Sequence, residues 1–348
     1  MISFESDYDN GCHPVVMQRL LQTNDERSTG YGLDQHCATA SAKICQACGL
    51  PTDTPVFFLT GGTQTNATVI DAVLERYQGV LAVDSGHVAV HEAGAIEASG
   101  HKVITLPSHD GKMSAHDLQL WLEAFYADPT APHMVQPGMV YLTFPTEMGT
   151  LYSHDELRQI GDMCHRYHLP LYIDGARLPY GLAAASCDIT LPRLAAMCDV
   201  FYLGGTKCGA LLGEAVVFSG MPAPGHFFTT VKQHGALLAK GRLLGVQFDA
   251  LLTDGLYFSI ARQAVSLAMR LRDAFVSHGC RMAVDSPTNQ QFVALPVEVA
   301  RQLAQEFAFE VWNSMGNGQV CCRFVTSWAT QSTDVDALQA ALDRIIGA

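Results

Sequence analysis

Apolar residues fall into short runs separated by stretches with helical spacing. Val56-Phe57-Phe58-Leu59 is followed by an amphipathic segment at 66–77 and then by Val80-Leu81-Ala82-Val83. Lys102-Val103-Ile104-Thr105-Leu106 precedes a predicted helix at 115–125, and Met139-Val140-Tyr141-Leu142-Thr143-Phe144 precedes another at 154–168. Pro170-Leu171-Tyr172-Ile173, Val200-Phe201-Tyr202-Leu203 and the run 213–218 complete the series. This alternation predicts an α/β fold, with a large domain whose mostly parallel sheet is sandwiched by helices. The strands are too continuously apolar to have a wet face, so the sheet is expected to be buried on both sides.

From about residue 225 the pattern changes. Long helical stretches are predicted at 232–252 and 258–278, then a strand at 291–295, a helix at 297–307, a strand at 319–325 and a closing helix from 334. These predict a smaller C-terminal α+β domain. The expected organisation is an arm at 1–20 contributing to the small domain or the active site, a large domain at 21–250 and a small domain at 251–348.

Composition narrows the function. Of 348 residues, 48% are hydrophobic and 16% charged, against about 25% charged in an average soluble protein. A long, apolar chain of this kind buries a large core. No apolar run reaches the ~18 residues of a spanning helix, and the acidic start Met1–Asp7 lacks the apolar centre of an export signal. A formal charge of −13 argues against nucleic acid and membrane as main partners. The odd count of eleven cysteines, with Cys321 and Cys322 adjacent, fits reduced thiols and a cytoplasmic setting better than a disulfide framework.

In open α/β sheets, ligands bind beyond the carboxyl ends of the strands, and here each predicted strand ends in a different polar group. Leu59 leads to Gly61-Gly62-Thr63, Val83 to His87, Phe144 to Glu147, Ile173 to Asp174 and Arg177, and Leu203 to Thr206-Lys207. Gly62 and Thr63 at a helix start offer N–H groups and a hydroxyl to a phosphate. Lys207 is one of only six lysines. It ends a buried strand with no acidic neighbour in sequence, a setting that lowers an amine's pKa and makes it nucleophilic. An anion site, a strand-end aspartate and a strand-end lysine together suit pyridoxal 5'-phosphate, which needs a Schiff-base lysine and a carboxylate for its pyridinium nitrogen. Two metal patterns compete weakly. His87 and His91 stand four apart but lack a third ligand, and Cys45-Gln46-Ala47-Cys48 lacks a second pair, so no metal is expected.

Taken in order, Glu5-Ser6-Asp7, Gly30-Tyr31-Gly32, Gly62-Thr63-Gln64-Thr65-Asn66, His87 with Glu92-Ala93-Gly94, Asp174-Gly175-Ala176-Arg177 and Thr206-Lys207 resemble the low-specificity L-threonine aldolases of the β-eliminating lyase group. That resemblance implies an aspartate-aminotransferase-like fold and a carbon–carbon lyase cleaving 3-hydroxy amino acids to glycine and an aldehyde. It implies that Lys207 carries the cofactor, that Asp174 pairs with its ring nitrogen and that His87 stacks on its face, with Gly62 and Thr63 at the phosphate and Arg177 and Thr206 also among the cofactor-binding residues. It further implies a substrate carboxylate bound by Ser6, Arg177 and Arg323, a contribution from Tyr31, and a homodimer or homotetramer with sites at the subunit interface. Two departures stand out. Glu147 occupies a place where the family commonly has a second histidine, and a phosphate-binding arginine is missing near 236–242, where Lys240 or Arg242 is the available substitute. Glu147 is therefore a candidate general base, with His87 or a bound water as competitors. β-Elimination, transamination and a non-catalytic binding role remain alternatives.

Overall fold

The computed structural model describes residues 1–347; Ala348, the last residue of the expected small domain, lies outside the described residues. Seven strands form the central sheet: β1 (Val56–Leu59), β2 (Gln78–Val83), β3 (Lys102–Leu106), β4 (Gln136–Thr143), β5 (Leu171–Asp174), β6 (Val200–Gly204) and β7 (Glu214–Phe218). Their order is β1-β7-β6-β5-β4-β2-β3. The pairs from β6 to β3 are parallel, and β7 runs antiparallel to both β1 and β6. Six strands therefore point their carboxyl ends to one rim, and β7 begins there with Glu214. β5, β6 and β7 are buried throughout, as continuous apolar runs require.

Side chains alternate between the two faces of the sheet. Leu81, Val140, Leu142, Ile173, Phe201 and Val217 join one core. Val80, Met139, Tyr141, Tyr172, Tyr202 and Val216 join the other, under the helix Gly62–Val73. The helix His154–Arg166 begins at a capping box between Ser153 and Glu156, which satisfies two otherwise free N–H groups.

A second, antiparallel sheet contains β8 (Arg281–Met282), β9 (Gln290–Pro296), β10 (Glu310–Gly316) and β11 (Gln319–Val325) in the order β10-β11-β9-β8. Its core includes Phe4, Leu271, Phe275, Leu295, Phe324 and Leu338. The long helix Leu256–Ser277 serves both cores: Tyr257, Ile260 and Ala264 pack with the large domain, and Leu267, Leu271 and Phe275 with the small one. The first residues of the chain also reach the small domain, where Ile2–Ser3 pairs in parallel with Phe307–Ala308.

Two expected helices are interrupted. The stretch predicted at 232–252 is two helices, Phe227–Gln233 and Arg242–Leu252. Between them the backbone is held against residues 30–32: Tyr31 N–H donates to the Ala239 carbonyl at 3.1 Å, and a Cβ on Gly241 would meet Gly32 N at 2.3 Å. The helix predicted at 297–307 stops at Leu303, because Phe307 and Ala308 pair with the N-terminal strand.

Two strand ends approach very closely at the rim. A Cβ on Gly175 would lie 1.9 Å from the Tyr202 carbonyl oxygen, and one on Gly204 would lie 2.2 Å from the Ala176 oxygen. Gly175→Ala is accordingly expected to cost about 2–3 kcal/mol through backbone displacement. A lowered urea midpoint with an unchanged m-value would register it.

Candidate active site

Asp174 is the last residue of β5, opposite Thr143 of β4. It projects to the same face as Tyr172, two residues earlier. On that face four groups donate to its carboxylate: Tyr202 hydroxyl (2.5 Å) and Ala176 N–H (2.9 Å) to Oδ1, Tyr141 hydroxyl (2.7 Å) and the Asn66 amide (2.9 Å) to Oδ2. Burial alone would raise the carboxyl's proton affinity. The electrostatic influence of the neighbouring His87 ring and these hydrogen bonds together outweigh burial and hold the carboxyl below its ordinary range, so the group stays ionised.

Lys207 follows β6 and is partly buried. Burial, then the nearby Arg177 charge, push its amine below the ordinary lysine value against the opposing pull of Asp7, Asp174 and Glu214. Its carbonyl accepts from the Tyr180 hydroxyl at 2.7 Å, while its amine has no hydrogen bond or ion pair among the described residues. Glu214, at the start of β7, accepts from Gly205 N–H at 2.9 Å and from the Thr206 hydroxyl. Burial brings its carboxyl up to about 7.

These groups line a small cavity of about 80 Å³ with Gly62, Asn66, His87, Glu147 and Arg177. It meets a cleft of about 620 Å³ between the domains, where His87, Glu147, Arg177 and Lys207 face Ser6, His91, Trp312 and Arg323. Glu147 is fixed by His87 backbone N–H (2.7 Å) and by the Thr143 hydroxyl (3.0 and 2.9 Å to its two oxygens). Burial raises its proton affinity despite those bonds. His87 Nδ1 lies 2.8 Å from Glu92 Oε1.

The two arginines differ in their engagement. Arg177 is held by Asp7 in a two-point pair, Nε to Oδ2 at 2.6 Å and one terminal nitrogen to Oδ1 at 2.9 Å. Arg323 pairs with Glu310, donates to Gln290 Oε1 at 3.1 Å and lies 5.0 Å over the Trp312 ring. Its Nε is buried and has no hydrogen-bond partner among the described residues.

The fold thus brings Ser6, Gly62, His87, Glu147, Asp174, Arg177, Thr206, Lys207 and Arg323 to one place. Thr63 is exposed and lines neither cavity. The Thr206 hydroxyl is committed within the β6–β7 turn, accepting Gly213 N–H at 3.0 Å, and Ser6 donates to Asp9. Tyr31 lies elsewhere in the chain, half-exposed in an apolar groove with Leu33, Phe57 and Phe228. Lys240 is likewise away from the cavity, and Arg242 donates to the Thr23 and Asn24 carbonyls. Sequence reasoning assigned no role to Asp7, Asn66, Glu92, Tyr141, Tyr202 or Glu214. The strand period placed Tyr141, Tyr172 and Tyr202 on one face, but their shared target was not readable from it.

The residues fit pyridoxal phosphate on their own chemistry. The helix Gly62–Val73 starts without a side-chain cap, leaving first-turn N–H groups for a phosphate. A partly buried amine with no partner among the described residues and a buried ionised carboxylate supply the other two contacts the cofactor requires. Fold and site together define a pyridoxal-phosphate-dependent enzyme of the aminotransferase-like type. More narrowly, the chain belongs to the beta-eliminating lyase family, whose model matches residues 5–307, and whose members are pyridoxal-phosphate-dependent lyases. It is 30% identical to the low specificity L-threonine aldolase of Pseudomonas aeruginosa and 29% identical to that of Pseudomonas sp. (strain NCIMB 10558), covering 99% of this chain and 98% of each relative. The solved structure of Leishmania major threonine aldolase matches with a TM-score of 0.96 and 36% identity over 99% of this chain and all of that one. A single mutant of Thermus thermophilus aspartate aminotransferase shares the fold, with a TM-score of 0.71 at 12% identity.

The Asp7–Arg177 pair yields a stability prediction. Removing Asp7 leaves a buried guanidinium uncompensated, so Asp7→Ala is expected to destabilise the fold by about 3–5 kcal/mol in urea denaturation at neutral pH. Asp7 is held below its ordinary value: burial raises it, and the charge and hydrogen bonds of Arg177 more than offset this. The pair's contribution is therefore complete above about pH 4 and lost as pH falls through the folded-state value. The variant's deficit is expected to shrink over that acid window.

Proposed function

We propose that this protein is a threonine aldolase, cleaving the Cα–Cβ bond of 3-hydroxy amino acids such as threonine or allo-threonine to glycine and an aldehyde. The observation that carries the reading is a buried carboxylate, Glu147, lining the same cavity as the unpartnered amine of Lys207. Likeness over the full chain to L-threonine aldolases supports it.

Lys207 would hold pyridoxal phosphate covalently, with Asp174 at its ring nitrogen, His87 at its face, and the Gly62 end of its helix at the phosphate. When bound, the cofactor supplies an electron sink for the pair released as the Cα–Cβ bond breaks. Arg323, whose Nε has no partner, binds the substrate carboxylate, with Ser6 and Arg177 beside it. Recognition of that carboxylate by guanidinium groups fixes which bond faces the sink. Glu147 takes the proton from the β-hydroxyl as the C–O bond becomes the carbonyl of the departing aldehyde. Protonation at Cα leaves glycine. Its buried setting suits Glu147 to this task, because a base works best with a pKa near the operating pH.

We further read the protein as a homodimer or homotetramer in the cytoplasm. Tyr31, Leu33 and Phe228 present large apolar surface around one groove, and Tyr31 would reach the site from a partner subunit. All eleven cysteines are free, and nine are buried.

Incubation with L-threonine is expected to yield glycine and acetaldehyde in equal amounts; ammonia and a keto acid instead would overturn the reading in favour of elimination. Glu147→Gln is expected to lower kcat by about 10²–10⁴-fold. Burial raises Glu147 above the ordinary glutamate value, so kcat/KM should fall as pH drops through that raised value, and this acid limb should vanish in the variant. Mixing inactive Lys207→Ala and Tyr31→Ala chains under exchange conditions should regain activity that neither has alone, by assembling one intact site per hybrid. Continued inactivity of mixtures with demonstrated hybrids would remove Tyr31 from the partner's site.

A further inference from the structure

Beneath the cavity, a line of buried polar groups runs from Asp174 to His87. Asn66 donates to Asp174 Oδ2 at 2.9 Å and to Glu92 Oε1 at 2.6 Å. The same Glu92 oxygen lies 2.8 Å from His87 Nδ1. The Tyr172 hydroxyl donates to Asn66 Oδ1 at 2.7 Å. Asn66, Glu92, Tyr172 and Asp174 are all at most 4% exposed, so no solvent substitutes for these contacts.

The chemistry fixes the orientation of each member. Two carboxylates need donors, and an amide donates only from its nitrogen end. Tyr172 occupies the oxygen end, so turning the amide over would set its oxygen against both acids and leave that hydroxyl facing N–H groups. Glu92 Oε1 already receives an N–H from Asn66, and its second partner is therefore best a donor too. That places a hydrogen on His87 Nδ1, because the hydrogen bond of one ring nitrogen sets the state of the other. His87 Nε2 has no partner among the described residues. Glu92 Oε2 is buried and also without one, so among the described residues Asn66 and His87 are the carboxylate's hydrogen-bond partners. Glu92 lines neither the cavity nor the cleft, and it acts only through these neighbours.

We propose that Glu92 and Asn66 are positioning residues, which hold His87 in the Nδ1–H form with Nε2 free and tie its placement to that of Asp174. The network works as one unit because Asn66 touches both acids: displacing the amide releases the residue at the cofactor's ring nitrogen and the residue at its face together. This deepens the cofactor assignment given above and does not depend on which amino acid is the substrate.

The test uses the cofactor-loaded protein labelled with 15N-histidine, His87 being assigned by its loss in His87→Asn. Two-bond 15N–1H correlation distinguishes the two neutral ring forms directly. In the unmodified protein His87 is expected in the Nδ1–H form. Glu92→Ala should move it toward the Nε2–H form, displace the cofactor's visible absorption maximum, and lower kcat about 10-fold or more with a smaller change in KM. Glu92→Gln retains an acceptor oxygen at the same place, so it should restore the Nδ1–H form. Tyr172→Phe removes one of the three contacts that orient the amide and loosens its hold on both acids; it is expected to give an intermediate displacement of both signals, and it serves if Glu92→Ala does not fold. The proposal is overturned if His87 keeps its Nδ1–H form in Glu92→Ala, or in a folded Tyr172→Phe with an unchanged absorption spectrum. It is overturned equally if Glu92→Gln behaves as Glu92→Ala does. Absence of threonine cleavage in the unmodified protein would refute the substrate reading and leave the ring-form result standing.

Discussion

The ionised carboxylate of Asp174 is the constraint around which the large domain is arranged. Placing a carboxylate inside a dry sheet–helix interface costs several kcal/mol unless donors replace its water. Here they come from three strands and a helix: Tyr141 on β4, Ala176 just beyond β5, Tyr202 on β6 and Asn66 from above. Each donor lies on the same face as the acid, so the pleat of three neighbouring strands must stay in register for the set to form. The crowding at Gly175 and Gly204 follows from the same demand, since the strand ends must come close enough for backbone and hydroxyl groups to converge.

Charge balance in the cleft follows a second rule. Arg177 and Arg323 are close enough to depress Arg323, although burial is the larger cause. Each is matched by one acid, Asp7 or Glu310. Asp7 belongs to the N-terminal arm, which also pairs with the small domain through Ile2–Ser3, and Asn289 of the small domain donates to the same carboxylate at 3.0 Å. Arm, large domain and small domain thus meet on one ion pair beside Lys207. The amine has no such dedicated partner, and a lowered proton affinity at that position is what a nucleophilic lysine requires.

Glu147 distinguishes this site. A carboxylate has two oxygens, and Thr143 and the His87 backbone N–H stabilise one face of it without removing it from the cavity. The result is a carboxyl group whose proton affinity is raised by burial and whose orientation is set by its neighbours. An imidazole at that position would carry a different charge, so the departure noted in the sequence changes the electrostatics of the cavity more than its architecture.

The sequence by itself determined the periodic elements and the polar residues at their ends. Apolar runs of strand length located all seven central strands, and the residues after them included Gly62, His87, Glu147, Asp174, Arg177 and Lys207. This worked because burial on both faces and delivery of polar groups at strand ends are local requirements, written in contiguous residues. The break between Gln233 and Arg242 was not legible, since it depends on backbone contacts with residues 30–32, some two hundred positions away. Nor were the partners of each charge: Asp7 and Arg177 lie 170 residues apart, and Asn66 and Asp174 are separated by 108. Tertiary structure alone decided these, because a buried charge takes whichever donor the packed chain brings within hydrogen-bonding distance, and that distance is set by how helices and strands stack, not by their spacing in sequence.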